Sequence, residues 1–100
     1  MTDGDFAPRA QRQLNEILDY LERRAGAKIA ETYARRFLLA VERIEAFPLS
    51  GSKRPELDER VRVVFVAPYI MFYDYSEADD IVQVTAIRHF RRLTEPADLG

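Results

Sequence analysis

Cysteine is absent from the 100 residues, and His89 is the single histidine. Disulfides and thiolate chemistry are thereby excluded. A zinc site would need one imidazole and a set of carboxylates, a poor donor set, so neither metal nor cofactor is expected. No apolar run approaches the length of a membrane span or signal segment, so the chain is expected to act in the cytoplasm without a membrane role. An excess of positive charge is also missing. The formal net charge is -2, whereas gripping a nucleic-acid backbone takes a Lys or Arg for each phosphate contacted. Direct sequence-specific nucleic-acid binding by this chain alone is therefore not expected, although a local basic patch stays open.

With 47% hydrophobic and 32% charged residues, the composition fits one small domain spanning residues 1–100. Its organising stretch is Tyr69 to Phe90. Two runs rich in β-branched and aromatic residues, split by Ser76-Glu77-Ala78-Asp79-Asp80, read as a β-hairpin. In the first run Tyr69, Met71, Tyr73 and Tyr75 point one way and Ile70, Phe72 and Asp74 the other. In the second, Val82, Val84 and Ala86 alternate with Ile81, Gln83, Thr85 and Ile87, giving one wholly apolar side and one mixed side. Val61, Val63 and Phe65 alternate with Arg62, Val64 and Val66 as a preceding strand, which completes a three-stranded meander.

Two helices come before it. Pro8 suits a first helical turn, and Ala10, Leu14, Ile17, Leu18, Leu21 and Ala25 form one stripe that ends at Gly26. Ala7 is a poor N-cap, so either Asp5 supplies the capping oxygen or that end frays. Ile29, Tyr33, Phe37, Ala40, Val41, Ile44 and Phe47 recur at helical spacing until Pro48. So tight a turn makes the pair an antiparallel hairpin. Ala30, Ala34 and Leu38 widen the apolar surface of the second helix, which is read as core with some area left for a partner. Met1 to Ala7 supports at most a short edge strand, Leu49 to Glu59 reads as a turn-rich loop, and Thr94 to Gly100 as an irregular tail. The expected fold is α+β: a short N-terminal edge strand, then a two-helix antiparallel hairpin packed on an antiparallel sheet of three to four strands.

The ordered combination of Pro8-Arg9-Ala10 with Leu14 and Ile17, Tyr20-Leu21 before Gly26, Phe47-Pro48 with Gly51, Arg54-Pro55-Glu56-Leu57, Tyr69 with Phe72-Tyr73, and Ile87-Arg88-His89 resembles the ParE branch of the RelE/ParE toxins. The resemblance covers almost the whole chain. It implies a toxin of a type II toxin–antitoxin system that inhibits DNA gyrase by protein–protein binding, and a ParD-like antitoxin that wraps and neutralises it. The departures are Thr2-Asp3-Gly4-Asp5, where relatives carry alternating apolar residues, and Ala7, where a Ser often precedes the Pro.

RelE-like members cut messenger RNA on the ribosome, which requires a group to take the 2'-hydroxyl proton, cations for the phosphorane and an acid for the leaving oxygen. Such relatives commonly place an arginine directly after the tyrosine that matches Tyr69. Here that residue is Ile70, which offers neither charge nor a proton. No catalytic residues are therefore expected. The alternative is a ribosome-dependent endoribonuclease using His89, whose ordinary pKa suits acid–base work, with Arg62 and Arg88. Arg60, Arg62, Arg88, His89, Arg91 and Arg92 are the candidate target-binding set, since strands placed side by side would gather these cations at one sheet edge and arginine forks pair well with carboxylates. The bland reading of the same cations is a solvated set balancing Glu56, Asp58, Glu59, Glu95 and Asp98. Leu14, Leu18, Leu21, Tyr33 and Phe37 on the helical hairpin are the candidate antitoxin-binding set. Tyr69, Phe72, Tyr73 and Tyr75 read as sheet core rather than as a base-stacking platform.

Overall fold

The structure is a computed structural model, and it describes residues 3–91. Arg92 and the expected tail from Thr94 lie outside the described residues. Seven elements follow in order: β1 (Asp3–Phe6), α1 (Pro8–Ala25), α2 (Ala27–Ala46), β2 (Ser52–Lys53), β3 (Val61–Val66), β4 (Tyr69–Ser76) and β5 (Ile81–His89). The strands form one five-stranded sheet in the order β1-β5-β4-β3-β2. The α+β architecture expected from the sequence is present, with one strand more than expected. That strand is β2, two residues inside the turn-rich loop, which pair with Arg62 and Val63 of β3.

Both helices have the bounds their periodicity implies. Pro8 opens α1 where a missing N–H costs nothing. No side chain caps this end: Asp5 turns its carboxylate to the N–H of Phe6 at 2.8 Å instead of to the helix. One residue, Gly26, ends α1 and begins α2 with φ of 95° and ψ of 166°. Only glycine adopts that backbone geometry readily, so the sharp reversal depends on it.

One face of the sheet meets the helices. Ala10, Phe37, Val41 and Ile44 pack on Val66, Tyr69, Met71, Tyr73, Val82, Val84 and Ile87, with Phe6, Leu14, Ile17, Tyr33 and Ala40 around them. Alternation in β4 follows the sequence reading, so Tyr69, Met71 and Tyr73 sit under the helices. Alternation in β5 does not. Phe72 pairs with Ala86 and Tyr73 with Val84, so a β-bulge leaves Thr85 without a partner across β4. Past the bulge the sides exchange: Ile87 enters the helix-facing core, and Ala86 joins Phe72 and Ile70 on the opposite face. Ala34 and Leu38, expected to widen the packed surface of α2, are exposed, while Ala30 is buried.

β1 forms despite its weak strand formers. It pairs parallel with β5, Phe6 beside Val84, and the N–H of Ala7 extends the ladder to the carbonyl of Val84 at 2.9 Å. A strand this polar is held by its ladder and by Phe6 rather than by propensity.

Candidate contact site at the His89 end of the sheet

One cleft lies between α1 and the ends of β4 and β5. It encloses about 450 Å³ and is lined by Gln13, Glu16, Ile17, Tyr20, Tyr69, Ile87, Arg88 and His89. Four of these residues, at positions 13, 16, 17 and 20, form the stripe of α1 that overlooks β5. Their spacing is plain in the sequence, yet only Ile17 reads as a packing residue there. His89 forms the floor. Its ring stands edge-on to Tyr69 with centroids 5.4 Å apart, and its Nδ1 accepts the N–H of Arg91 at 3.2 Å. Tyr69 is in turn flanked by Tyr33 at 6.0 Å and Phe37 at 5.7 Å. His89 is thereby fixed at the end of an aromatic stack, with Nε2 as its remaining polar atom.

Around the corner, Tyr69 and His89 also border a shallow apolar groove with Phe65, Ala67, Pro68, Phe90 and Arg91. Phe65 and Phe90 are each more than half exposed, at 53% and 54%. The sheet end therefore presents a wetter cleft on the α1 side and an apolar groove on the other, joined through His89.

The arginines do not gather as expected. Arg62 lies opposite Tyr73 on the helix-facing side, and its guanidinium donates to the carbonyls of Leu49 at 3.0 Å and Gly51 at 2.8 Å. Through Nη1 it holds the loop after α2. Arg88 pairs in register with Ile70 and His89 with Tyr69, so strand alternation sends them to opposite faces. Arg62 and His89 are roughly 16 Å apart at their Cα positions, from ordinary strand rise and spacing along and across β4. Arg60 sits at the far end of β3 beside Asp58, with guanidinium and carboxylate 3.6 Å apart. The backbone N–H of Arg60 holds the Asp58 carboxyl below the usual carboxylate range; desolvation opposes it, and the charge and side-chain hydrogen bond of Arg60 lower it further by smaller amounts. Arg91 is exposed at the rim, leaving Arg88, His89 and Arg91 together at one end.

On the helical hairpin, Leu14, Leu18, Leu21 and Tyr33 are half-buried. Phe37 is only 1% exposed and belongs to the core, so its side chain cannot be a surface contact. Ile29, Leu38 and Leu39, at 42%, 56% and 58% exposed, are large apolar residues that α2 shows to solvent. Among the described residues no group of His, Asp or Glu is arranged to hold a metal ion. No helix among them is long and apolar enough to cross a membrane.

Comparison with known proteins agrees with this architecture. Residues 5–94 match the family described as the ParE toxin of the type II toxin–antitoxin system parDE. Among solved structures, one titled as the chromosomal ParDE system from P. aeruginosa is similar to this chain with a TM-score of 0.73 and 18% identity. The match covers 89% of this chain and 96% of that one. Curated proteins give no match. Since the family match spans nearly the whole sequence, and the helical hairpin on a five-stranded sheet is the fold of that solved toxin–antitoxin structure, the chain belongs to the ParE toxin family of type II toxin–antitoxin systems.

Proposed function

We propose that this toxin acts by protein–protein contact with DNA gyrase and is neutralised by a ParD-like antitoxin, in the cytoplasm and without catalysis of its own. The observation that carries the non-catalytic part is the separation of Arg62 from His89, with Ile70 standing where a cation would help. Ribonucleolytic cleavage asks for an acid–base group and a phosphate-stabilising cation within hydrogen-bond reach of one phosphate. Here Arg62 directs Nη1 at the loop carbonyls of residues 49 and 51, Arg88 borders the cleft of His89 but leaves β5 on the opposite face, and Ile70, where a cation would help, is fully buried. What the sheet end does offer is contact area: the apolar groove at Phe65 and Phe90 with His89 and Arg91 on its border, and Arg88 in the neighbouring cleft. A surface of this kind suits an apolar anchor flanked by carboxylates. Binding there would hold the gyrase–DNA cleavage complex in its broken state.

The antitoxin would cover the helical hairpin along Leu14, Leu18, Leu21 and Tyr33, extended over the exposed Leu38 and Leu39. The fit is supported by family membership and by apolar residues that the fold leaves half-buried or exposed.

Purified toxin is tested in a gyrase supercoiling reaction and, in parallel, on ribosomes programmed with mRNA, each with and without antitoxin. Linear cleaved plasmid with intact mRNA, relieved by antitoxin, is the expected result. Cut mRNA with gyrase unaffected, abolished by His89→Gln in a folded protein, would overturn the reading in favour of a ribosome-dependent nuclease.

A further inference from the structure

We infer that Arg9 and Gln13 are positioning residues: from the first turns of α1 they hold the bulge in β5, and so determine which side of the sheet His89 and Arg88 present to a partner. The inference rests on the proposed function only for its last step, the use of that sheet end as a contact surface.

The bulge leaves β5 with backbone groups that no strand satisfies. β1 runs beside β5 only as far as Val84, with the N–H of Ala7 closing the ladder on the Val84 carbonyl, and the chain then enters α1 at Pro8. Beyond that point the outer edge of β5 has no strand beside it among the described residues. Two side chains of α1 take the place of one. Arg9 directs both Nε and Nη2 at the carbonyl of Thr85, each at 3.3 Å, and Gln13 Oε1 accepts the N–H of Ile87 at 2.8 Å. On the inner side, the hydroxyl of Thr85 donates to the Phe72 carbonyl at 3.3 Å.

The spacing makes this a matched pair. Four residues advance a helix by about 6 Å, and two residues advance a strand by about 6.7 Å. Arg9 and Gln13, one turn apart on the same face of α1, therefore meet Thr85 and Ile87, two apart on the same edge of β5. Each bond favours the bulged register over the regular one. If Thr85 were drawn back into the ladder, every later residue of β5 would turn over. Ile87 would leave the core, His89 would leave Tyr69, and Arg88 would be driven beneath α1.

The test uses isotope-labelled full-length protein and two readouts at the bulge: hydrogen exchange of the Ile87 amide, and the nuclear Overhauser contact between the His89 and Tyr69 rings. In Gln13→Leu the Ile87 amide should exchange about five- to tenfold faster. In the double variant Arg9→Leu/Gln13→Leu the ring contact should also weaken or vanish. Gln13→Glu, which keeps the accepting oxygen, should restore slow exchange. The amides of Val63, in β3, and Val82, before the bulge, should stay at wild-type rates, which separates positioning from general loss of stability. If a leucine variant does not fold, Arg9→Lys, which keeps one donor, is read in the same way and should give an intermediate weakening of the ring contact. Unchanged Ile87 exchange and an intact ring contact in the double variant would overturn the inference, as would uniform acceleration of all core amides. Neither readout involves gyrase or antitoxin, so a wild-type toxin inert towards gyrase would sink the proposed function and leave this result standing.

Discussion

Replacing Tyr73 by phenylalanine removes one oxygen and nothing else, and the structure allows its effect to be estimated. The ring is fully buried at the centre of the helix-facing core. Its hydroxyl donates to the carbonyl of Pro48 at 2.7 Å and accepts the N–H of Gly51 at 2.9 Å, pinning the loop after α2. The approach is so close that a Cβ at Gly51 would lie 2.5 Å from the Tyr73 oxygen and 2.8 Å from the Val63 carbonyl. Each hydrogen bond contributes about 1 kcal/mol net, and a stranded buried partner costs about 1–3 kcal/mol. Pro48 and Gly51 are half-buried, so water recovers part of the loss, and Tyr73→Phe should destabilise the fold by about 2 kcal/mol. For a domain of this size that is a fall in Tm of about 8–16 °C. Thermal and urea unfolding followed by circular dichroism would measure it, with an unchanged urea slope showing that the folded state keeps its compactness. Arg62→Leu releases the same loop, so the double variant should be less damaged than the sum of the singles by about 0.5 kcal/mol or more. A Tyr73→Phe protein melting within about 2 °C of wild type would refute the view that this hydroxyl anchors the loop.

Other outcomes follow from the same geometry. Phe37→Ala should lose about 3–5 kcal/mol through the cavity it opens, seen as a large drop in urea midpoint. Leu18→Ala, at a half-buried position, should fold and lower antitoxin affinity in a titration; unchanged affinity would remove the hairpin from the proposed interface. Gly26→Ala should cost about 1–3 kcal/mol because alanine resists the backbone geometry that joins the helices. Asp58 has its folded pKa depressed, so its contribution to stability is present above the ordinary carboxylate pKa and is lost as pH falls through the depressed value. A carboxyl titration by NMR should place its midpoint below the usual range. Arg60→Ala should leave most of that depression in place, since the backbone N–H of residue 60 is its largest cause.

Helices and the central meander were legible in the sequence because their signals are local. Apolar spacing around Leu14 and Phe37, a glycine at 26 and a proline at 48 specify two helices without reference to anything distant. β2 was not legible, since two residues become a strand only by lying beside Arg62 and Val63. The bulge escaped notice for a related reason. Ala86 and Ile87 are adjacent and both apolar, so a one-residue change of side leaves the pattern of β5 equally acceptable, and the choice is made by Arg9 and Gln13 from the far end of the chain. The arginines show the limit of reading charge from sequence. Arg62 looked like a free cation, yet two loop carbonyls claim it. Phe37 looked like a candidate surface residue on an amphipathic helix, but the face it shares with Val41 and Ile44 is the one the sheet covers.

The pairing of β1 with β5 bears on how the molecule comes into being. Residues brought together there and at the first turn of α1 lie far apart in the chain, as Arg9 and Thr85 do at 76 positions. During synthesis α1 and α2 can coil as soon as they emerge, but the sheet beneath them cannot close until β5 has followed, and contacts this distant form late. The cleft at His89, with α1 as one wall and β5 as the other, is among the last features to be assembled. A partner that recognises the helical hairpin has something to hold while the ribosome is still at work; a partner that reads His89 must wait for β5.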